Sequence, residues 1–246
     1  MKNQYFGDIN DYRKYGLLRI LAAGGKNKIA ICWMLTADDS KSDGKFTTYL
    51  NSPYSWRPFD PDLFDFLSKT VAGKNKRDVA SIARTNLVPS ASYFSLFLAD
   101  GNRDEYFERL HAHLRRSHIL FFDPDNGLEI QSVPKERRGS HKYLNWDEAN
   151  RFFSKGHSLL IYQHFPRIQR ERFIILRAAD FFEKMGTKIV YSFRTSKVVF
   201  FLVPQRHHEQ AFRSIAREVG RTWGVKSGQP NITHHNKRMN GKYVLQ

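Results

Sequence analysis

Three apolar runs constrain this chain more than anything else in it: KIAICWML at 28–35, ILFF at 119–122 and SLLIY at 158–162. None alternates polar with apolar residues, so each reads as a strand buried on both faces, the pattern of a parallel sheet covered by helices. Each also runs straight into polar residues: Thr36 to Asp39, Asp123 to Asn126, and Gln163-His164. Helical spacing occupies the intervals. Tyr15, Leu18, Leu21 and Ala22 share one face of 12–23, which Gly24-Gly25 stops, and further helices are expected over 62–72, 77–84, 103–116, 145–154, 170–184 and 208–219.

The stretch 47–50 reads as a short strand and 85–95 as a loop. Two last apolar runs, 189–193 and 198–203, flank Arg194-Thr195-Ser196-Lys197 and predict a hairpin. The alternation implies an open, mostly parallel α/β sheet flanked by helices, with a C-terminal antiparallel hairpin. One domain over 1–225 is expected, with a helical insertion at about 60–116, followed by a basic tail over 226–246 that holds His234, His235, Lys237, Arg238 and Lys242. In sheets of this kind ligands sit beyond the carboxyl ends of the parallel strands, where the three polar groups fall.

Charge points to a partner. Lys and Arg number 40 against 24 Asp and Glu in 246 residues, a formal net charge of +16, which favours a polyanion such as DNA or RNA through phosphate neutralisation. The single cysteine, Cys32, excludes a disulfide framework and a Cys-based zinc site, and suits a reducing, cytoplasmic setting. The opening MKNQYFGDIN has no apolar core of a signal peptide, and no run approaches the ~20 residues that span a bilayer. A soluble cytoplasmic protein without membrane contact is expected.

The segment LFFDPDNGLEI, 120–130, carries the chemistry in two ways. Asp123, Asp125 and Glu129 are hard oxygen donors that suit Mg²⁺ or Mn²⁺, which would make the chain a metal-dependent nuclease assisted by His164 or Lys142. Alternatively Asp123, Asp125 and Asn126 form a clamp that accepts hydrogen bonds from an exocyclic amine. An ordinary Asp-Pro-Asp-Asn-Gly turn uses the same residue types. His164, at the end of its strand, is a candidate general base. Arg167, Arg170 and Arg194, with Lys142, are candidate phosphate contacts, and a non-catalytic basic binding protein is the third reading.

Asp123-Pro124 after a buried strand, then helix, strand, helix and terminal hairpin, resembles the Rossmann-type S-adenosylmethionine-dependent methyltransferases that modify adenine N6 of ribosomal RNA. Those enzymes carry an Asp-Pro-Pro-Tyr/Phe motif there, and their opening is similar in style to FGDINDYRKYGLLR. The resemblance implies a Rossmann-like fold, S-adenosylmethionine as cofactor and a nucleic-acid base as methyl acceptor, with Asp123 orienting the amine. Thr36 and Asp38, after the first strand, would then hold the cofactor. The run Asp8, Asp11, Tyr12, Lys14 and Tyr15 is dense enough in acids, a lysine and aromatics to complete a site made elsewhere, and a helix start capped by Asp11 with an aromatic core face is the simpler account. Two positions depart from the motif: Asp125 and Asn126 replace its second proline and its aromatic. The first strand also runs into Thr36-Ala37-Asp38-Asp39 in place of a glycine-rich turn.

Overall fold

The structure, a computed structural model, describes residues 1–39, 46–73, 76–114, 117–223, 231–237 and 243–245. In chain order the helices are α1 (Ile9–Ala22), α2 (Pro53–Trp56), α3 (Pro61–Ala72), α4 (Ala80–Ala83), α5 (Arg103–His113), α6 (Trp146–Ser154), α7 (Arg170–Met185) and α8 (Glu209–Trp223). The strands are β1 (Ile29–Cys32), β2 (Ala91–Phe94), β3 (Ile119–Phe122), β4 (Gly127–Leu128), β5 (Tyr143–Leu144), β6 (Ser158–His164), β7 (Ile189–Arg194), β8 (Val198–Val203), β9 (Asn231–Lys237) and β10 (Tyr243–Leu245). All but β4 and β5, which pair with each other, form one sheet in the order β10-β9-β7-β8-β6-β3-β1-β2.

The expected α/β architecture is present: β2, β1, β3 and β6 are parallel neighbours, and β8 lies antiparallel between β6 and β7. This is an open, Rossmann-like sheet whose final hairpin folds back into it. Alternate residues of each strand feed opposite apolar layers. Ile29, Ile31, Ile119, Phe121 and Leu160 pack with α1, α3 and α8, while Ala30, Cys32, Leu120, Phe122 and Ile161 pack with α5, α6 and α7. Burial on both faces is why these strands carry no polar alternation.

Local signals set the helix ends. Asp8, and not Asp11, caps α1, accepting from the backbone N–H groups of Asn10 and Asp11 at 2.8 and 2.9 Å. Gly186, at φ 65°, ends α7 in the left-handed conformation that glycine adopts without strain.

Four expectations are corrected. Residues 47–50 are not a strand: Thr48–Asn51 is a 3₁₀ turn that buries Tyr49 against Tyr12, ring centroids 5.4 Å apart. The stretch 85–95 is not only a loop, and the insertion over 60–116 is not only helical. Ala91–Phe94 pairs in register with β1 as an edge strand, so most of its residues are only half-buried. Residues 226–246 are not simply a tail, because β9 pairs with β7 from Ile189 to Arg194 and with β10. Without β9 the backbone of β7 would be an open edge. His235 is buried there, its Nε2 3.0 Å from Ser192 Oγ. His234 and Lys237 share that strand, whereas Arg238 and Lys242 lie outside the described residues.

Candidate functional site

From β1 the chain leaves to β2 on one side and returns to β3 on the other, so the crevice between β1 and β3 is the switch point of the sheet. Asp123 sits at its lip, 2 % exposed, with its backbone N–H donating to Cys32 O at 3.0 Å. Asp125 follows, and the acidic turn forms one wall of a cavity of about 210 Å³. Asp8, Asn10, Asp11 and Lys14 of the α1 entry form a second wall, and Tyr162 and His164 of β6 a third. Asp123, Asp125, His164, Asp8 and Asp11 are thus brought together from three separate segments.

Lys14, from the dense run that opens α1, lies at the centre of the site. Its ammonium is buried between Asp11 Oδ1 at 2.5 Å and Asp123 Oδ2 at 2.7 Å. Burial alone would strip a lysine of its proton, but the two carboxylates outweigh that and hold Lys14 well above its ordinary pKa. The helix register explains the placement: Lys14 lies four and seven residues before Leu18 and Leu21, on the buried face of α1. A lysine in an apolar stripe with an acid three residues earlier was the available signal.

The N-terminal amine of Met1 makes a parallel arrangement across the crevice. It lies 2.6 Å from Asp125 Oδ1 and donates to the carbonyls of Met34 and Asp123 at 3.2 and 3.0 Å. Thr36 Oγ1 donates to Asp125 Oδ2 at 2.6 Å. Burial acts to raise the Asp125 pKa, but the ammonium and this hydroxyl outweigh it and hold the carboxyl below its usual range. Asp8 goes the other way. Burial and the neighbouring charge of Asp11 push it up to about 7, so it stays largely protonated through mildly acidic pH.

Several expected site residues stand elsewhere. Asn126 does not line the cavity: its N–H donates to Lys142 O at 2.9 Å and its carbonyl accepts from Gln163 Nε2 at 3.1 Å. Gln163 Oε1 also accepts from Leu128 N at 2.8 Å, so this half of the motif is a fastened turn. Gly127 is required there at φ 110°, because an added Cβ would meet the Gln163 amide at 2.3 Å. Glu129 continues toward β5, its N–H donating to Leu144 O, and does not join Asp123 and Asp125.

Thr36 and Asp38 are engaged by the chain itself. Asp38 accepts from Gln4 N at 3.1 Å and pairs with Lys76 at 2.8 Å. Neither lines the cavity.

The metal reading loses its donor set in this geometry. Asp123 and Asp125 each face a cation of the chain, and Glu129 is remote. Among the described residues no group of three or more His, Cys, Asp and Glu is placed to hold a metal ion.

None of the basic candidates lines the cavity. Arg167 and Arg170 are exposed on the segment after His164, and the Arg170 guanidinium lies 5.8 Å from the Phe165 ring centroid. Arg194 is tied to Glu171 and so is partly neutralised, and Lys142 is half-buried below the acidic turn. Lys197 and Phe46, neither expected, line the cavity itself.

No protein-family model matches the sequence, and no curated protein matches it. Among solved structures the chain is similar to human Methyltransferase-like protein 13 in complex with SAH, at 10 % identity and a TM-score of 0.36. That alignment covers 88 % of this chain and 93 % of the other. Among the described residues no helix is long and apolar enough to cross a membrane.

Proposed function

We propose that this protein transfers a methyl group from S-adenosylmethionine to an amine of a nucleic-acid base, at the cavity between Asp8, Lys14 and Asp123. The observation that carries this reading is the charge imbalance of the cavity. Asp8, Asp11, Asp123 and Asp125 stand against Lys14, the Met1 amine and Lys197, with Asp8 held part-protonated near pH 7, and Asn10 Oδ1 is buried with no hydrogen-bond partner among the described residues. Surplus carboxylate and a spare acceptor call for a ligand that brings positive charge and N–H donors. Both reactants do so, one through its sulfonium and α-ammonium, the other through its exocyclic amine.

The residues fit the positively charged end of the cofactor at Asp8 and Asn10, whose Oδ2 and Oδ1 would hold it, whereas Asp11 is taken by Lys14 and by the Gly7 N–H. They fit less well at Thr36 and Asp38, whose side chains are already bonded within the chain. At about 210 Å³ the cavity is smaller than the ~300–1,000 Å³ of most ligand pockets, so it suits the reacting ends of two molecules and not the whole of either. The cofactor supplies the electrophilic methyl group. Asp123 accepts a hydrogen bond from the amine and so orients it, and Lys14 keeps that carboxylate ionised and in place. The placement of the site at the switch point and the return of β8 between β6 and β7 support the same assignment. The net charge of +16 supports nucleic acid as the partner.

The experiment is a thermal melt titrated with S-adenosylmethionine, alongside mass spectrometry of nucleosides from RNA and DNA incubated with protein and cofactor. A ligand that binds only the native state raises Tm by mass action. A rise in Tm together with a methylated base lost in Asp123→Ala is the expected result. No rise at millimolar cofactor, with no methylated nucleoside, defeats the proposal. Cleavage of either nucleic acid with Mg²⁺ or Mn²⁺ would transfer the assignment to a nuclease.

A further inference from the structure

We infer that the mouth of this cavity is built for an unpaired nucleotide, with Phe46 as the face on which the base stacks and Lys197 as its phosphate contact. The substrate class deepens the methyl-transfer reading and rests on it only for what happens to the base once bound. Three observations lead there, and a stacked base needs first an aromatic face.

Phe46 supplies one. Its side chain lines the cavity yet is 48 % exposed, which is a poor arrangement for a residue serving only the core. Its position is fixed, because its carbonyl accepts from Ile9 N at 3.0 Å, at the head of α1 beside Asp8. Lys197 then places its ammonium 3.4 Å from the Phe46 ring centroid. That lysine belongs to the tight turn between β7 and β8, where its N–H donates to Thr195 Oγ1 and its carbonyl accepts from Phe165 N. An aromatic face and a cation held together on two rigid supports are the elements that grip one nucleotide.

Electrostatics sets the direction of binding. Phosphate is repelled by the carboxylates inside and attracted by Lys197 beside the exposed Phe46, so the base enters and the backbone stays at the rim. A base inside a duplex cannot reach Asp123, which is 2 % exposed at the cavity wall. The substrate is consequently a single strand, a loop or an extruded base.

The test is fluorescence anisotropy with labelled single-stranded 12-mers of RNA and DNA, their duplexes, and an unlabelled mononucleotide as competitor. Wild-type protein is expected to bind single strands at least about tenfold tighter than duplex. Loss of one stacked base corresponds to ~1–3 kcal/mol, about 5- to 150-fold, so Phe46→Leu should weaken single-strand binding in that range and leave duplex binding unchanged. Phe46→Trp should retain it. Lys197→Ala should lower the salt slope by about 0.7. The melting temperature of each variant identifies any that fail to fold, and Phe46→Leu keeps the apolar bulk where alanine would not.

Equal affinity of the wild type for duplex and single strand, or unchanged single-strand binding in a folded Phe46→Leu, overturns the inference. Displacement of the 12-mer by a mononucleotide at matched base concentration also overturns it, in favour of a free-nucleotide site. The S-adenosylmethionine melt on the same proteins separates the two proposals. A wild type that binds single strands through Phe46 but shows no cofactor shift refutes methyl transfer and upholds the nucleotide site.

Discussion

Two buried clusters of charge lie on either side of the acidic turn, and they are built on opposite plans. In the first, Arg103 and Glu148 are 6 % and 5 % exposed and bond each other and nearby backbone, with Lys135 3.9 Å from Glu148 Oε1. The guanidinium bonds both carboxylate oxygens of Glu148 and donates to the carbonyls of Ser140 and Tyr143 at 3.1 and 2.8 Å. Glu148 in turn accepts from Asn145 N at 2.9 Å, and so caps α6. In the second, around Lys14, four carboxylates meet three cations, one acceptor is left over and a cavity adjoins. Matched charge fastens a scaffold, and carboxylates lining a cavity are where perturbed groups gather.

The sharpest way to break that comparison is to open the matched cluster. Arg103→Met leaves buried Glu148 with the half-exposed Lys135, 3.9 Å away, as its cation, an expected loss of about 3 kcal/mol in urea unfolding. The basic segment between β4 and β5, which Arg103 holds through Ser140, should become protease-sensitive, while the cofactor-induced rise in Tm persists in the protein that remains folded. A variant that kept its stability but lost the cofactor shift would assign Arg103 to the site and erase the distinction.

The surplus in the second cluster is tested through Asp8. Its pKa rises from an ordinary 3.8 to about 7 on folding, so the native state holds the proton more tightly than the unfolded chain does. Stability from this group is therefore complete below about pH 4 and is lost as pH climbs through about 7. Asparagine cannot ionise and still caps a helix. Asp8→Asn should gain on wild type between pH 4 and 8 by on the order of 2–4 kcal/mol. Denaturant midpoints at four or five pH values measure it. A difference that stays flat would mean Asp8 ionises freely and the cavity carries no stored excess.

How much of this was legible depended on which force placed each residue. The strands β3, β6, β7 and β8 were readable because burial on both faces leaves a continuous apolar run. β2 was not, since an edge strand of sequence ASYF is only half-buried and its partner β1 lies about sixty residues away. Asp123 and His164 line the cavity from positions at or just past strand ends, where the sequence places them. Asn10 and Phe46 carry no such mark, because helix geometry and long-range packing bring them to the strand ends and no local spacing records that. Asn126 and Glu129 misled for the complementary reason. Their residue types suit a clamp or a metal, but Gln163 and the β4–β5 pair had already claimed that backbone.

A smaller effect sharpens the border between site and scaffold inside the motif itself. Gly127→Ala places a β-carbon at φ 110° and 2.3 Å from the Gln163 amide, so the turn must move or Gln163 must give up its bonds to Asn126 and Leu128. A cost of about 1–3 kcal/mol is expected from the strained conformation, read as a lowered urea midpoint. Asp123 should keep its place, because it is fixed by Cys32 and Lys14 and not by this turn. Cofactor binding by the folded variant should consequently be unchanged. If the cofactor shift falls with stability, the two halves of the acidic turn act as one unit, and the division between a fastened half and a reactive half fails.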